Sequence, residues 1–254
     1  MRPDRFAPLP ETCAEELLRI LQAHDEARAL SLAFVGGADR AAALTACAFV
    51  AEVASVPAKV SEPMIGLIRL QWWREALDEA FGGGPVRAHP LAQAMRQTLP
   101  ERVARERLDA VLDALPPFLE GGGGAPLDLL RGTDGVMGAL VAEIVSGAEA
   151  TASTAAEAGA VAALARLVAE PPAPAPSPQI ETPRQRAARV ADKMRMGAED
   201  EVSRVRAAWP TDASDGLILG ALPFALAPAH AAGRSPGPLK ARFAMTRMVA
   251  RGRP

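Results

Sequence analysis

Arg40, Glu52 and Arg69 are the residues whose placement points to chemistry, together with the adjacent Trp72 and Trp73. Glu52 is the only charged residue between Arg40 and Lys59, in an otherwise apolar stretch. On a helical wheel of ~100° per residue, Ile65, Ile68, Leu70, Trp72, Trp73, Ala76, Leu77, Ala80 and Phe81 share one broad arc, and Arg69 falls inside it. A buried guanidinium stays charged and must be paired. The two intrusions lie on consecutive helices, so a Glu52–Arg69 ion pair is the economical expectation. Such a pair would either fix helix register alone, or leave Arg40 or Arg69 free to line a cavity and meet an anion. The tryptophans are then either core residues or the wall of an apolar pocket.

Other chemistry-bearing patterns are weaker. Asp109 and Asp113 form a D-x-x-x-D spacing on an amphipathic helix beside Arg102, Arg105 and Arg107, which reads as a solvated charged face. Glu75, Asp78 and Glu79 read the same way, facing Arg74. The three histidines have no metal spacing, and His24, between an apolar run and Asp25-Glu26, is expected at the surface. Cys13 and Cys47 suit neither a disulfide framework nor a zinc site. No catalytic residue and no metal ligand is assigned. Residues 233–254 carry only basic charge, including Lys240, Arg242, Arg247 and Arg251, interleaved with Leu239, Phe243, Met245, Met248 and Val249. This is either a basic amphipathic helix for an anionic membrane or a partner, or a last helix docked on the fold.

These residues need helices to position them. Apolar spacing and abundant alanine predict helices near 12–34, 39–56, 62–82, 88–98, 101–119, 127–147, 153–169, 182–208, 213–231 and 236–250. Gly36-Gly37 closes the first, Asp39 can cap the second, and Pro63 suits the first turn of the third. Gly82-Gly83-Gly84-Pro85 ends the tryptophan helix. The proline-rich run near 170–181 predicts an extended loop inside one domain that spans 1–254.

The 254 residues are 49% hydrophobic, enough for a full core, but only 4% aromatic with no tyrosine. A net charge of −2 argues against a nucleic-acid partner. No uninterrupted 18-residue apolar run appears, and no signal-peptide core follows Met1. Two scattered cysteines fit a reduced cytoplasmic setting, with peripheral attachment to the inner face of the membrane through the basic C-terminal segment.

The order Ser61-Glu62-Pro63-Met64-Ile65-Gly66-Leu67-Ile68-Arg69-Leu70-Gln71-Trp72-Trp73-Arg74-Glu75-Ala76-Leu77-Asp78 resembles the squalene/phytoene synthase family. Asp39-Arg40, the run Ala48-Phe49-Val50-Ala51-Glu52-Val53 and the late Ala221-Leu222-Pro223 fit the same family. More narrowly, the stretch over about 28–82 is similar to the branch that includes the mitochondrial respiratory complex I assembly factor and its bacterial relatives. The resemblance implies an all-α, isoprenoid-synthase-like single-domain helical bundle with a central cavity.

The family's enzymes hold Mg²⁺ with two aspartate-rich motifs, whose i and i+4 carboxylates share a helix face. The ions neutralise a diphosphate and help it leave. By the resemblance, the first motif falls on Ala54, Ser55 and Ala58, and the second follows Arg166, where the chain runs into Pro171-Pro172. Both metal sites are therefore expected to be lost. The resemblance then implies a non-catalytic, membrane-associated partner-binding or assembly factor, acting on respiratory complex I and needing no cofactor. The alternative is a Mg²⁺-dependent head-to-head prenyltransferase acting on prenyl diphosphates. A third reading is a carrier that holds an isoprenoid lipid in a retained cavity.

Overall fold

The computed structural model describes residues 9–120, 126–147, 152–169 and 197–254, and every regular element among them is helical. The all-α expectation holds. The expected loop near 170–181 and the start of the helix expected at 182–208 lie outside the described residues.

Several expected helices are split where a local signal overrides the apolar period. The first is α1 (Glu11–His24) followed by α2 (Glu26–Ser31) and a 3₁₀ turn at Leu32–Phe34. Asp25 makes the break: it is extended at φ −148° and its carboxylate accepts from the Arg28 amide at 3.0 Å, capping α2. Next come α3 (Gly37–Ala54), the single turn α4 (Val56–Lys59) and α5 (Pro63–Gly82). Asp39 does not cap α3, whose N-cap is Gly36; it pairs with Arg102 instead. Pro63 starts α5, and Gly83 ends it in the left-handed region at φ 82°, where glycine carries no Cβ penalty.

The middle of the chain forms α6 (Pro90–Thr98), α7 (Arg105–Ala114), α8 (Pro116–Glu120) and α9 (Pro126–Leu130). Pro116 and Pro117 explain why the helix expected at 101–119 divides. A π-helical turn, Arg131–Gly135, leads into α10 (Val136–Ser146), and α11 (Ala152–Ala169) follows. The C-terminal part holds α12 (Ala198–Ala207), α13 (Asp215–Gly220), a 3₁₀ turn at Leu222–Leu226, α14 (Ala227–Ala231) and α15 (Pro238–Arg251).

Two apolar cores result. The first gathers α1, α3, α5, α6 and α7 around α3, whose Ala43, Ala46, Cys47, Ala48, Phe49 and Val50 are fully buried. The second gathers α11 to α15. α10 serves both: Leu140 and Val141 face the first and Ala142 the second. By length and a mean hydropathy of 1.2, α11 could cross a membrane, yet Ala155, Ala158, Ala160, Val161 and Ala165 are fully buried in the second core.

Where α10, α11 and α13 cross, backbone meets backbone. A Cβ on Gly159 would sit 2.7 Å from the Asp134 carbonyl oxygen, and one on Gly220 would sit 2.5 Å from that of Gly138. A Cβ on Gly138 would press into the Ala155 carbonyl. These are backbone neighbours, which cannot rotate away as a side chain can. Gly138→Ala is therefore expected to destabilise the fold by about 1–3 kcal/mol, despite alanine's better helix propensity. Urea unfolding should show a lower midpoint; a raised midpoint would contradict the close crossing.

Candidate functional site

The Glu52–Arg69 pair is not formed. Arg69 is exposed, and Glu52 pairs with Lys59 Nζ at 3.0 Å. Seven residues are about two helical turns, so Lys59 comes back over Glu52 even though Ser55 separates α3 from α4. Arg69 stays in solvent because α5 buries only Gly66, Leu70, Trp73, Ala76, Leu77 and Ala80. Much of the remaining arc is open, Ile68 at 62% and Ile65 at 40% exposed, as is the neighbouring Met64 at 63%, while Phe81 is half-buried against the first core.

Trp72 and Trp73, adjacent in sequence, take different roles. Trp73 is buried with its edge toward Phe49, ring centroids 5.7 Å apart. Trp72 is at the surface, where the Arg87 guanidinium sits 4.3 Å over its ring and His89 meets it edge-on. Arg87 also grips Glu79 at 2.8 Å, and its hydrogen bonds hold that carboxyl down at about 2. Asp78 pairs with Arg105 at 2.6 Å, and Asp113 with Arg74 at 2.5 Å. The acids of α5 and α7 therefore form an interhelical ion-pair ladder. Within the acidic cluster of α5, Asp78 and Glu79 answer Arg105 and Arg87, not Arg74 as expected.

Arg40 lies at the edge of a cleft of about 800 Å³ between α1, α3 and the α6–α7 region. Its floor is apolar (Leu9, Ala14, Leu18, Leu32, Ala41, Leu44), and Glu11, Glu15, Arg40 and Arg102 rim it. The rim mixes signs, and Arg102 is engaged by Asp39. Lys240, Arg242, Arg247 and Arg251 are all exposed on α15, far along the chain in the second core's outer layer.

The polar centre of the molecule was missed. Asp25 and Asp134 are 7% and 4% exposed. Arg166, from α11, reaches Asp25 Oδ1 at 3.0 Å and Asp134 Oδ1 at 3.3 Å. His24 Nε2 lies 3.4 Å from the same Asp134 oxygen, and the Thr133 hydroxyl donates to the other at 3.1 Å. Burial by itself would raise the Asp134 carboxyl; His24, Arg166 and Thr133 pull it well below the usual carboxylate range. Beside this group Arg28, 1% exposed, donates to the Gly220 carbonyl at 2.6 Å. Burial pushes the neighbouring Cys47 thiol up to about 12. His24 is thus a half-buried partner of Asp134 and not the surface residue expected. The sequence signal that could have found it is the break at Asp25, which turns the chain inward.

His24 sets this network beside Ser55 of the first expected metal motif, while the second, past Ala169, lies outside the described residues. His24 borders a cleft of about 340 Å³ with Glu52, Ser55 and Lys59. It also borders one of about 290 Å³ with Arg166 and His230. Ala54, Ser55 and Ala58 bring no carboxylate, and among the described residues no three His, Cys, Asp or Glu side chains are grouped to hold a metal ion. Of the carboxylates near them, Asp25 and Asp134 are committed to Arg166 and Glu52 to Lys59. The buried part of this arrangement neutralises its own charge.

Two outcomes follow for acid stability. The depressed Asp134 carboxyl stabilises the fold fully above its unfolded value, about 3.9, and loses that effect as pH falls below it. Asp134→Asn should cost about 3 kcal/mol at pH 7, with the gap to wild type closing in strong acid. Burial, then Arg166, lowers His230 from 6.5. Its neutral form therefore supports folding above about pH 6.5, and stability declines as pH falls through that value. His230→Gln should flatten the dependence of the urea midpoint between about pH 7 and 5; an unchanged slope would remove His230 from the account.

Comparison with curated proteins gave no match. The squalene/phytoene synthase profile, however, matches residues 21–170. That span contains α3, α5, α10 and α11, and with them Asp25, Asp134 and Arg166. Matching more than half of the chain, it shows that this protein belongs to the squalene/phytoene synthase family.

Proposed function

We propose that the protein is a non-catalytic member of this family that binds a partner at the membrane, in the branch that assists assembly of respiratory complex I. The observation that carries the reading is the pairing of Arg166 with Asp25 and Asp134 beside Ala54, Ser55 and Ala58. Ionising a prenyl diphosphate requires metal-bound carboxylates that face the substrate. Here the first motif's positions are apolar or hydroxylic, and the nearby acids answer cations: Asp25 and Asp134 answer Arg166, and Glu52 answers Lys59. The branch resemblance supplies the assembly role, and the open face of α5 supplies a surface for a protein partner. Met64, Ile65, Ile68 and Trp72 form one exposed apolar stripe with Arg69 beside it. Mg²⁺ and a prenyl diphosphate belong only to the prenyltransferase alternative.

The test has two arms. Purified protein given farnesyl or geranylgeranyl diphosphate with Mg²⁺ should release no diphosphate. Turnover at ~1 s⁻¹ or above would establish the alternative. In the native host, Ile68→Asp should lower the amount of assembled complex I on native gels. Its thermal stability should stay near wild type, since an exposed substitution changes stability by about 0.5 kcal/mol or less. Full assembly with the variant would remove the α5 stripe from the reading.

A further inference from the structure

α15 packs on the second core through Ala241, Met245 and Met248, which are buried. At ~100° per residue, Leu239, Phe243, Thr246 and Ala250 fall in one narrow sector on the opposite side. That sector is open: Leu239 is 84% exposed and Phe243 72%. Lys240, Arg247 and Arg251 flank it on one side, and Arg242 with the exposed Val249 flanks it on the other. No acid occurs between residues 233 and 254. Among the described residues, none of these four cations has a carboxylate within ion-pair distance.

A helix that only docks on a bundle needs one apolar face. This one has a second, centred on solvent and lined on both sides by unpaired positive charge. We propose that the outer face of α15 binds an anionic lipid bilayer surface, with Leu239 and Phe243 entering the headgroup–acyl boundary and Lys240, Arg242, Arg247 and Arg251 meeting lipid phosphates. The geometry matches a helix lying in the interfacial plane: an apolar ridge at the bottom and cations at headgroup level on either side. An acidic groove on a protein would take the charges, but two-sided flanking of a ridge suits a laterally uniform surface better. The inference rests on the membrane part of the function proposed above and is independent of the loss of catalysis.

Co-sedimentation of the full chain with phosphatidylcholine vesicles, with and without phosphatidylglycerol, tests it. Binding should require the anionic lipid and weaken as salt is added. Arg242→Gln with Arg247→Gln should weaken it roughly 25-fold, at about fivefold per charge. Leu239→Ser with Phe243→Ser should weaken it by about tenfold or more. All four positions are exposed, so melting temperatures should match wild type. The lipid and salt arms need no variant, so they decide even if a variant misfolds. Wild-type binding that ignores phosphatidylglycerol, or variants that bind like wild type, would overturn the proposal. If the protein ignores vesicles altogether while the α15 variants impair complex I assembly, the face meets an acidic protein surface. The lipid proposal then fails and the partner-binding reading stands.

Discussion

Arg166 lies between Asp25 and Asp134, and the rest of the structure is arranged so that it can. A buried charge without an answering charge is too costly to keep. The three residues come from the α1–α2 junction, the π-helical turn and α11, so satisfying one side chain ties three separate parts of the chain. The glycines serve the same contact. Gly159 lets α11 approach the Asp134 carbonyl, and Gly135 lies against the Ala156 carbonyl on α11. With a side chain at either place, the turn would stand off and Asp134 would lose its reach to Arg166. The Thr133 hydroxyl then bonds the carboxylate's other oxygen, and His24 lies at ion-pair distance.

The parts of the fold that were readable in the sequence are those fixed by backbone chemistry. Pro63 and Gly83 bound α5, because a missing donor or a left-handed φ is a local fact; Pro116 and Pro117 carry a signal of the same kind that the single helix expected at 101–119 overran. Asp25 is a local signal of the same kind, hidden inside a continuous apolar period. The candidate site was less readable. Arg69 sits in an arc so broad that the wheel could not say which part packs. Only the Leu70, Trp73 and Leu77 side does. His24 looked superficial beside two acids, yet the turn at Asp25 aims it inward against a residue more than a hundred positions away. Charge partners at such separations follow from packing, and a single helix period does not contain them.

Neutralising the interior moves the open questions of recognition to the surface, where two apolar faces are unpartnered among the described residues. They are not equivalent. The α5 stripe is bordered by charges of both signs: Arg69, Glu75 and an Arg87 already shared between Glu79 and the Trp72 ring. A surface of that kind discriminates, because a partner must match both signs in register. The α15 ridge is bordered by positive charge alone and carries no register, which suits attraction to a surface whose charge is spread evenly. A protein that must find a partner on a membrane needs both properties, and it gains by placing them on different helices. On the function proposed above, a face that selects and a face that attaches would then not compete for one occupant.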